Sequence, residues 1–347
     1  MTPLPAMMRG SRFRGAMDMQ IEEMPTPRAT RGKVILRIKA VGVCPSSVKM
    51  LHDPSRIPGS LKDVPGFPGH ETAAEVVEVG EGVSHVKIGD RVVPTSGPTC
   101  GHCHYCRRGL PRFCQEQDFS SIEMMSFVEY MACSARDLLP IPDSVDDEQA
   151  SLAEPLGCCV ASIQKCSLEP GDDVVVVGAG TMGILHVQLV RAIGARPIVV
   201  ETDGGRLSFA TEIGSCPGVI ADEHTPGRIR DLTGGRGATA VIIAAGSAKA
   251  IESAFDYVGP GGTVMLFAGT WPPAQLSLDP NLVHYRQINV TGSVGALMVD
   301  YERALALMAS GAVAVKPLIT HRFPLSEVSK AHQTTLDRKG LKVVVVP

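Results

Sequence analysis

The 347 residues are 44% hydrophobic and 20% charged, with a formal net charge of −3. A chain of that length is expected to fold as two domains. The near-neutral balance and the lack of long basic runs argue against a nucleic-acid or membrane-surface partner. No stretch is apolar enough to span a bilayer. Residues 1–15 carry scattered arginines without the apolar centre of a signal peptide, so a cytoplasmic protein is expected.

The first half reads as β-rich. Residues 32–41 alternate polar and apolar side chains, as a half-buried strand does. Residues 71–79 and 90–94 are further strands, punctuated by Gly80, Gly82 and Gly89. Short strands with glycine turns suggest a barrel or a sandwich. A proline-rich stretch at 139–142 precedes a helical, acidic segment from Ser144. The character changes near residue 160. Residues 173–177 are a continuous apolar run, as in a parallel strand buried on both faces, and lead through Gly178-Ala179-Gly180 into a helix ending near Gly194. Apolar runs at 197–200, 240–245, 263–268 and 288–291 alternate with helical stretches such as 248–258, which predicts a doubly wound parallel sheet. Beyond residue 295 the chain reads as helix, strand, helix and a last strand at 342–346, expected to return to the first domain.

Four of the ten cysteines lie close together, in Cys100-Gly-His-Cys103-His-Tyr-Cys106 and then Cys114. Steps of Cys-x-x-Cys wrap thiolates around one ion, and four thiolates complete a tetrahedral structural zinc shell with no position open for chemistry. In a reducing compartment such clustering favours metal over disulfides. Arg107, Arg108 and Arg112 partly offset the charge of the site. A redox Cys-x-x-Cys pair and an iron–sulfur cluster are the alternatives, with no other redox-centre signal to support them. Cys133, Cys158, Cys159, Cys166 and Cys216 read as buried small hydrophobes.

The glycines of Gly178-Ala179-Gly180-Thr181-Met182-Gly183 follow an apolar strand and open a helix, so the backbone can approach a pyrophosphate at the helix N-terminus. Glu201 ends the next strand, where a carboxylate binds adenosine ribose hydroxyls and repels a ribose phosphate. NAD is therefore expected over NADP, with Arg206 nearby as a further cofactor-binding candidate.

The cysteine spacing resembles the structural-zinc lobe of the zinc-containing medium-chain dehydrogenase/reductase family, and the match runs essentially end to end. The resemblance implies an α/β chain: a GroES-like β-barrel catalytic domain at 1–157, a doubly wound Rossmann domain at 158–294, and a return to the catalytic domain at 295–347. It also implies a catalytic zinc held by Cys44, His70, Glu71 and Glu154, making two zinc ions per chain. Glu154-Pro155-Leu156 resembles the sorbitol and threonine branch, where Glu154 binds zinc directly or through water and Glu71 exchanges in and out. Ser46 stands at the family's proton-relay position, and Lys49 extends the relay or touches the nicotinamide ribose.

Three residues depart from the family pattern: Pro45 replaces Gly, Ser47 replaces Asp, and Lys49 replaces a relay His. Ser47 is expected to accept a hydrogen bond from His70, without the charge an Asp supplies. The segment Asn281-Leu-Val-His284-Tyr285-Arg286 is similar to one in sugar-alcohol dehydrogenases. The implied activity is NAD-linked oxidation of a secondary alcohol of a polyol or cyclitol-like small molecule, by a homodimer or homotetramer. A threonine-type amino-alcohol dehydrogenase is one alternative. An NAD(H)-binding protein that keeps the structural zinc but has lost catalysis is another, and zinc content separates it from the enzymes.

Overall fold

Alternation at residues 32–41 becomes β3 (Lys33–Gly42), the central strand of the first compact unit. Before it lies an antiparallel hairpin, β1 (Met7–Gly15) and β2 (Asp18–Pro25). The strands β4 (Glu71–Val79), β5 (Arg91–Pro94), β6 (Tyr130–Ser134) and β7 (Leu138–Pro140) follow. The structure, a computed structural model, describes residues 3–95, 99–116 and 122–347. The last two strands, β14 (Ile319–Pro324) and β15 (Lys342–Val346), join the same sheet, in the order β14-β15-β3-β4-β5-β7 with β6 also paired to β3. Its core gathers Val34, Leu36, Ile38, Phe67, Val76, Phe127 and Val345. This unit comprises residues 1–157, 296–309 and 315–347.

The hairpin β1–β2 is absent from the sequence reading because its arginines mask the alternation. Met8, Met19 and Met24 point inward, while Arg9 pairs with Glu129 at 2.7 Å and Arg12 with Glu22 at 3.5 Å.

The second unit holds residues 158–295 and 310–314. Its strands are β8 (Asp173–Val177), β9 (Arg196–Glu201), β10 (Gly218–Ile220), β11 (Ala238–Ile243), β12 (Val258–Leu266) and β13 (Asn289–Gly292). They form a wholly parallel sheet in the order β10-β9-β8-β11-β12-β13. Every residue of β8 is buried, which explains its unbroken run of valines. Strand order reverses between β8 and β11, and a ligand crevice opens at the C-terminal ends of strands at such a switch point. β12 begins at Val258, ahead of the apolar run that marks it, because Val258-Gly-Pro-Gly-Gly has no apolar pattern of its own.

Two buried histidines bear on stability. His186, on the helix Thr181–Ala192, lies against the Met182 carbonyl and the Ser162 hydroxyl, both at 2.7 Å. His332, on the helix Val328–Leu336, meets the Phe127 ring edge-on, and neither of its nitrogens has a partner. Burial holds them down to about 4 and about 3. The unfolded chain protonates histidine near the ordinary value of about 6.5, while the folded chain refuses the proton, so stability falls as pH drops below that value. Each histidine contributes a slope of up to about 1.4 kcal/mol per pH unit. His332→Leu is expected to raise the urea midpoint and flatten its decline between neutral pH and mild acid. An unchanged profile would show that His332 is not carrying this sensitivity.

Candidate active site

Cys44 lies two residues beyond the end of β3 and precedes the helix Pro45–His52. A residue before proline is driven to extended backbone, and Cys44 has φ −84° and ψ 123°. Pro45 occupies the first helical turn, where its missing N–H costs nothing. The departure at residue 45 is thus a good helix start, compatible with Cys44 as a ligand. His70 and Glu71 arrive where β4 begins, with Glu71 opposite Gly42 in the ladder. The result is a tight set: one ligand atom each from Cys44, His70 and Glu71 lies within 4.8 Å of the others.

The electrostatics of this set suit a cation. Burial opposes a charged imidazole at His70, yet the Cys44 sulfur, Glu154 and Glu71 together raise it to about 10. Burial pushes the Cys44 thiol up, but His70 beside it brings the net direction down. The negative groups that favour a charge on His70 are donors that a divalent ion would equally satisfy. The Pro68 carbonyl lies 2.8 Å from Nδ1 of His70, so Nδ1–H donates to it and Nε2 is left for a metal. This corrects the expectation for Ser47. The partner of the His70 ring is a backbone carbonyl two residues away, which the sequence does not reveal.

Glu154, at the start of the helix Ala153–Ile163, acts on His70 through its charge but lies outside the tight set. Glu71 is 1% exposed, and its carboxylate forms an ion pair with Lys342, itself 2% exposed. Lys342 also donates to the Val43 carbonyl at 3.3 Å. A side chain at Gly42 would strike the Glu71 carboxylate and come within 2.9 Å of Lys342 Cε, so only glycine leaves room for the pair. Lys342 escaped the sequence reading; its one signal is a lone cation opening an otherwise all-valine strand.

Ser46 is exposed, with Oγ 2.9 Å from Cys44 Sγ. Ser47 is buried. Lys49 stands three residues from Ser46 on the same helix and is half-buried.

The second metal group is the lobe of Cys100, Cys103, Cys106 and Cys114, whose sulfurs all lie within 4.8 Å of one another. Sγ atoms of Cys100 and Cys106, and of Cys103 and Cys114, are 4.0 Å apart. Zinc–sulfur bonds of about 2.3 Å in a tetrahedron require edges of about 3.8 Å, so the sulfurs fit the ion. Backbone N–H groups of Cys106 and Gln115 draw the Cys103 thiol down to about 6. Of the remaining cysteines, Cys159 and Cys166 are buried while Cys133, Cys158 and Cys216 are partly exposed. Burial pushes the thiols of Cys133 and Cys166 up to about 12, which keeps them protonated.

In the second unit, Gly178 lies at the switch point with φ +104° and backs onto Ala244 and Ala245 after β11. A side chain at Gly183 would collide with the Gly178 carbonyl, so the helix packs directly on the turn. Gly180 caps this helix without a side-chain hydrogen bond, and Thr181, Met182 and Gly183 form its first turn. Their N–H groups face outward from the helix start, as pyrophosphate binding requires. Glu201 accepts from the N–H groups of Ala179 at 2.7 Å, Thr202 at 2.6 Å and Asp203 at 3.1 Å. Burial opposes its charge, but these donors lower its pKa on balance, so an ionised carboxylate ends β9. Arg206 lies in the first turn of the helix Gly204–Gly214, its N–H held by Asp203 at 2.8 Å. The segment 281–286 has a structural use, since Arg286 donates to the Phe255 and Val258 carbonyls.

Glu201→Gln is expected to raise catalytic efficiency with NADP relative to NAD, because it removes the negative charge that opposes a ribose phosphate. Wild-type preference for NADP, or an unchanged ratio in the variant, would refute this.

Family profiles match both halves: an alcohol dehydrogenase GroES-like domain over residues 30–143, and a zinc-binding dehydrogenase domain over 181–310. The sorbitol dehydrogenase of Halalkalibacterium halodurans is 32% identical, over 96% of this chain and 97% of that protein. The D-arabitol-phosphate dehydrogenase of Enterococcus avium is 29% identical, over 95% of this chain and 94% of its own. The crystal structure of 2R,3R-butanediol dehydrogenase from Bacillus subtilis superposes with a TM-score of 0.87 at 25% identity, covering 98% of this chain and 99% of that one.

Proposed function

The chain belongs to the zinc-binding alcohol dehydrogenases with a GroES-like domain, and from that membership we propose that it is an NAD-dependent enzyme interconverting a secondary alcohol of a polyol and the corresponding ketone. The observation that carries this reading is the Cys44, His70 and Glu71 set with the Ser46 hydroxyl beside it. Cys44, His70 and one of Glu71 and Glu154 would hold the catalytic zinc, and Cys100, Cys103, Cys106 and Cys114 the structural one. When bound, the zinc ion supplies Lewis acidity that makes an alcohol hydroxyl more acidic, and NAD accepts the hydride.

The chain's own residues do the rest. Ser46 Oγ is exposed next to the metal ligands and takes the hydroxyl proton toward solvent. The Pro68 carbonyl holds the His70 ring by Nδ1, so that Nε2 would be the nitrogen to hold the metal. Lys342 pairs with the Glu71 carboxylate and competes with a metal for it, which favours Glu154 for the third position. Gly178, Gly180, Thr181, Met182 and Gly183 receive the cofactor pyrophosphate, and Glu201 its adenosine ribose. The names of the relatives, sorbitol and arabitol phosphate dehydrogenases, support the polyol class. Among the described residues no helix is long and apolar enough to cross a membrane.

The test is NADH formation with a panel of polyols, cyclitols and amino alcohols. Turnover of polyols is the expected result. Exclusive turnover of amino alcohols would move the chain to the threonine-type reading, and no NADH from any compound would refute the activity.

A further inference from the structure

Three strands meet at Gly42. In the sheet order β15-β3-β4, Gly42 of β3 stands opposite Glu71 of β4 on one side and Val344 of β15 on the other. Lys342 opens β15 two residues before Val344. Gly42 has no side chain to stand between the two ions: a Cβ there would lie 3.1 Å from Glu71 Cβ and 2.9 Å from Lys342 Cε. The Lys342 ammonium therefore meets the Glu71 carboxylate, and it donates to the Val43 carbonyl at 3.3 Å.

Two features of the surroundings decide what this pair does. Glu71 and Lys342 are 1% and 2% exposed, so neither charge has water to replace a lost partner. A buried charge stripped of its partner costs far more than the intact pair contributes. Glu71 also belongs to the set whose ligand atoms lie within 4.8 Å of one another, with Cys44 and His70. One carboxylate thus stands between a resident cation and a metal site. Were Glu71 to join Cys44 and His70 on a metal, Lys342 would remain as an unpaired buried cation beside a divalent one. That arrangement is disfavoured twice, by the lost pairing and by like-charge repulsion.

We propose that Lys342 is a positioning residue for the catalytic metal: by holding Glu71 it keeps that carboxylate out of the ligand shell, sets the affinity for the ion and leaves one coordination position free for substrate. This rests on the reading in which Cys44 and His70 hold a catalytic zinc, and adds the residue that decides how many protein ligands the ion takes. Three protein ligands leave a position for substrate, whereas four close the shell, as in the cysteine lobe. Lys342 acts through Glu71 and not on the reacting atoms.

The experiment replaces Lys342 by methionine, a chain of similar length without the charge, and measures zinc affinity by competition with a chelating dye. Lys342→Met is expected to bind the catalytic zinc about tenfold more tightly or better, the scale on which neighbouring groups tune metal sites. With cobalt in the catalytic site, added imidazole is expected to shift the visible spectrum of the wild type. Lys342→Met should require about tenfold more imidazole for the same shift, because Glu71 now fills the position. A merely structural Lys342 would leave the imidazole response unchanged. The charge-neutral variant Glu71→Gln/Lys342→Met removes both ions and remains informative should the single variant fail to fold. It is expected to keep the zinc affinity and the imidazole response of the wild type.

Unchanged or weaker zinc binding in Lys342→Met, or an unchanged imidazole response, would overturn the proposal and leave the dehydrogenase reading intact. A loss of about tenfold in the double variant would show that Glu71 is already a ligand in the wild type. A double variant as tight as Lys342→Met would show repulsion by Lys342 without any part for Glu71. Either result overturns the proposal equally. A wild type whose zinc count is unchanged by Cys44→Ala would refute the catalytic-zinc reading itself, and the proposal with it.

Discussion

Replacing Ser46 by alanine is expected to lower turnover by about a hundredfold or more, the lower range for a general acid–base group, while both zinc ions and NAD affinity are retained. Loss of hydride from a carbinol carbon requires that the hydroxyl proton leave before or with it, and a hydroxyl beside the metal ligands gives the shortest path. Ser46 is exposed with Oγ 2.9 Å from Cys44 Sγ, whereas Ser47 is buried. Because Pro68 already accepts the His70 Nδ1–H, Ser47→Ala should change zinc affinity and turnover little. Comparing the variants at saturating NAD, with zinc measured in parallel, separates the two serines. Equal, small losses from both would show that the proton leaves by another path, with Lys49 the next candidate.

The second large effect is expected at the cysteine lobe. Cys103 is buried, with Sγ 4.0 Å from that of Cys114. Serine there removes one of four thiolates, and the metal's binding free energy is folding free energy. Cys103→Ser is expected to lose one zinc per chain and to lower the thermal midpoint by on the order of ten degrees. Turnover per intact catalytic zinc should change little at low temperature. A variant that kept both zincs and its heat stability would show that the lobe is not a structural metal site.

What the sequence made legible follows from how local each signal is. The lobe and the glycine turn depend on residues close in the chain, so spacing alone places them together. Buried β8 was readable because a strand covered on both faces needs only valines. The hairpin β1–β2 hides its inward methionines among arginines that pair with Glu129 across the fold and with Glu22 within the hairpin. The same holds at the catalytic set. Cys44, His70 and Glu71 could be named from their motifs, but the pairing of Glu71 with Lys342 joins opposite ends of the chain, through β15 lying beside β3. The replacement of Ser47 by the Pro68 carbonyl was illegible for another reason: a backbone acceptor leaves no mark in residue identity.

The central claim is that Cys44 and His70 hold a second, catalytic metal ion apart from the cysteine lobe. Zinc counted per chain in the purified protein and in Cys44→Ala tests it most directly. Two ions in the wild type and one in the variant, the remaining one lost only when a lobe cysteine is also replaced, is the predicted result. A single zinc in the wild type, unchanged by Cys44→Ala, would contradict the account and leave a nucleotide-binding protein with a structural zinc.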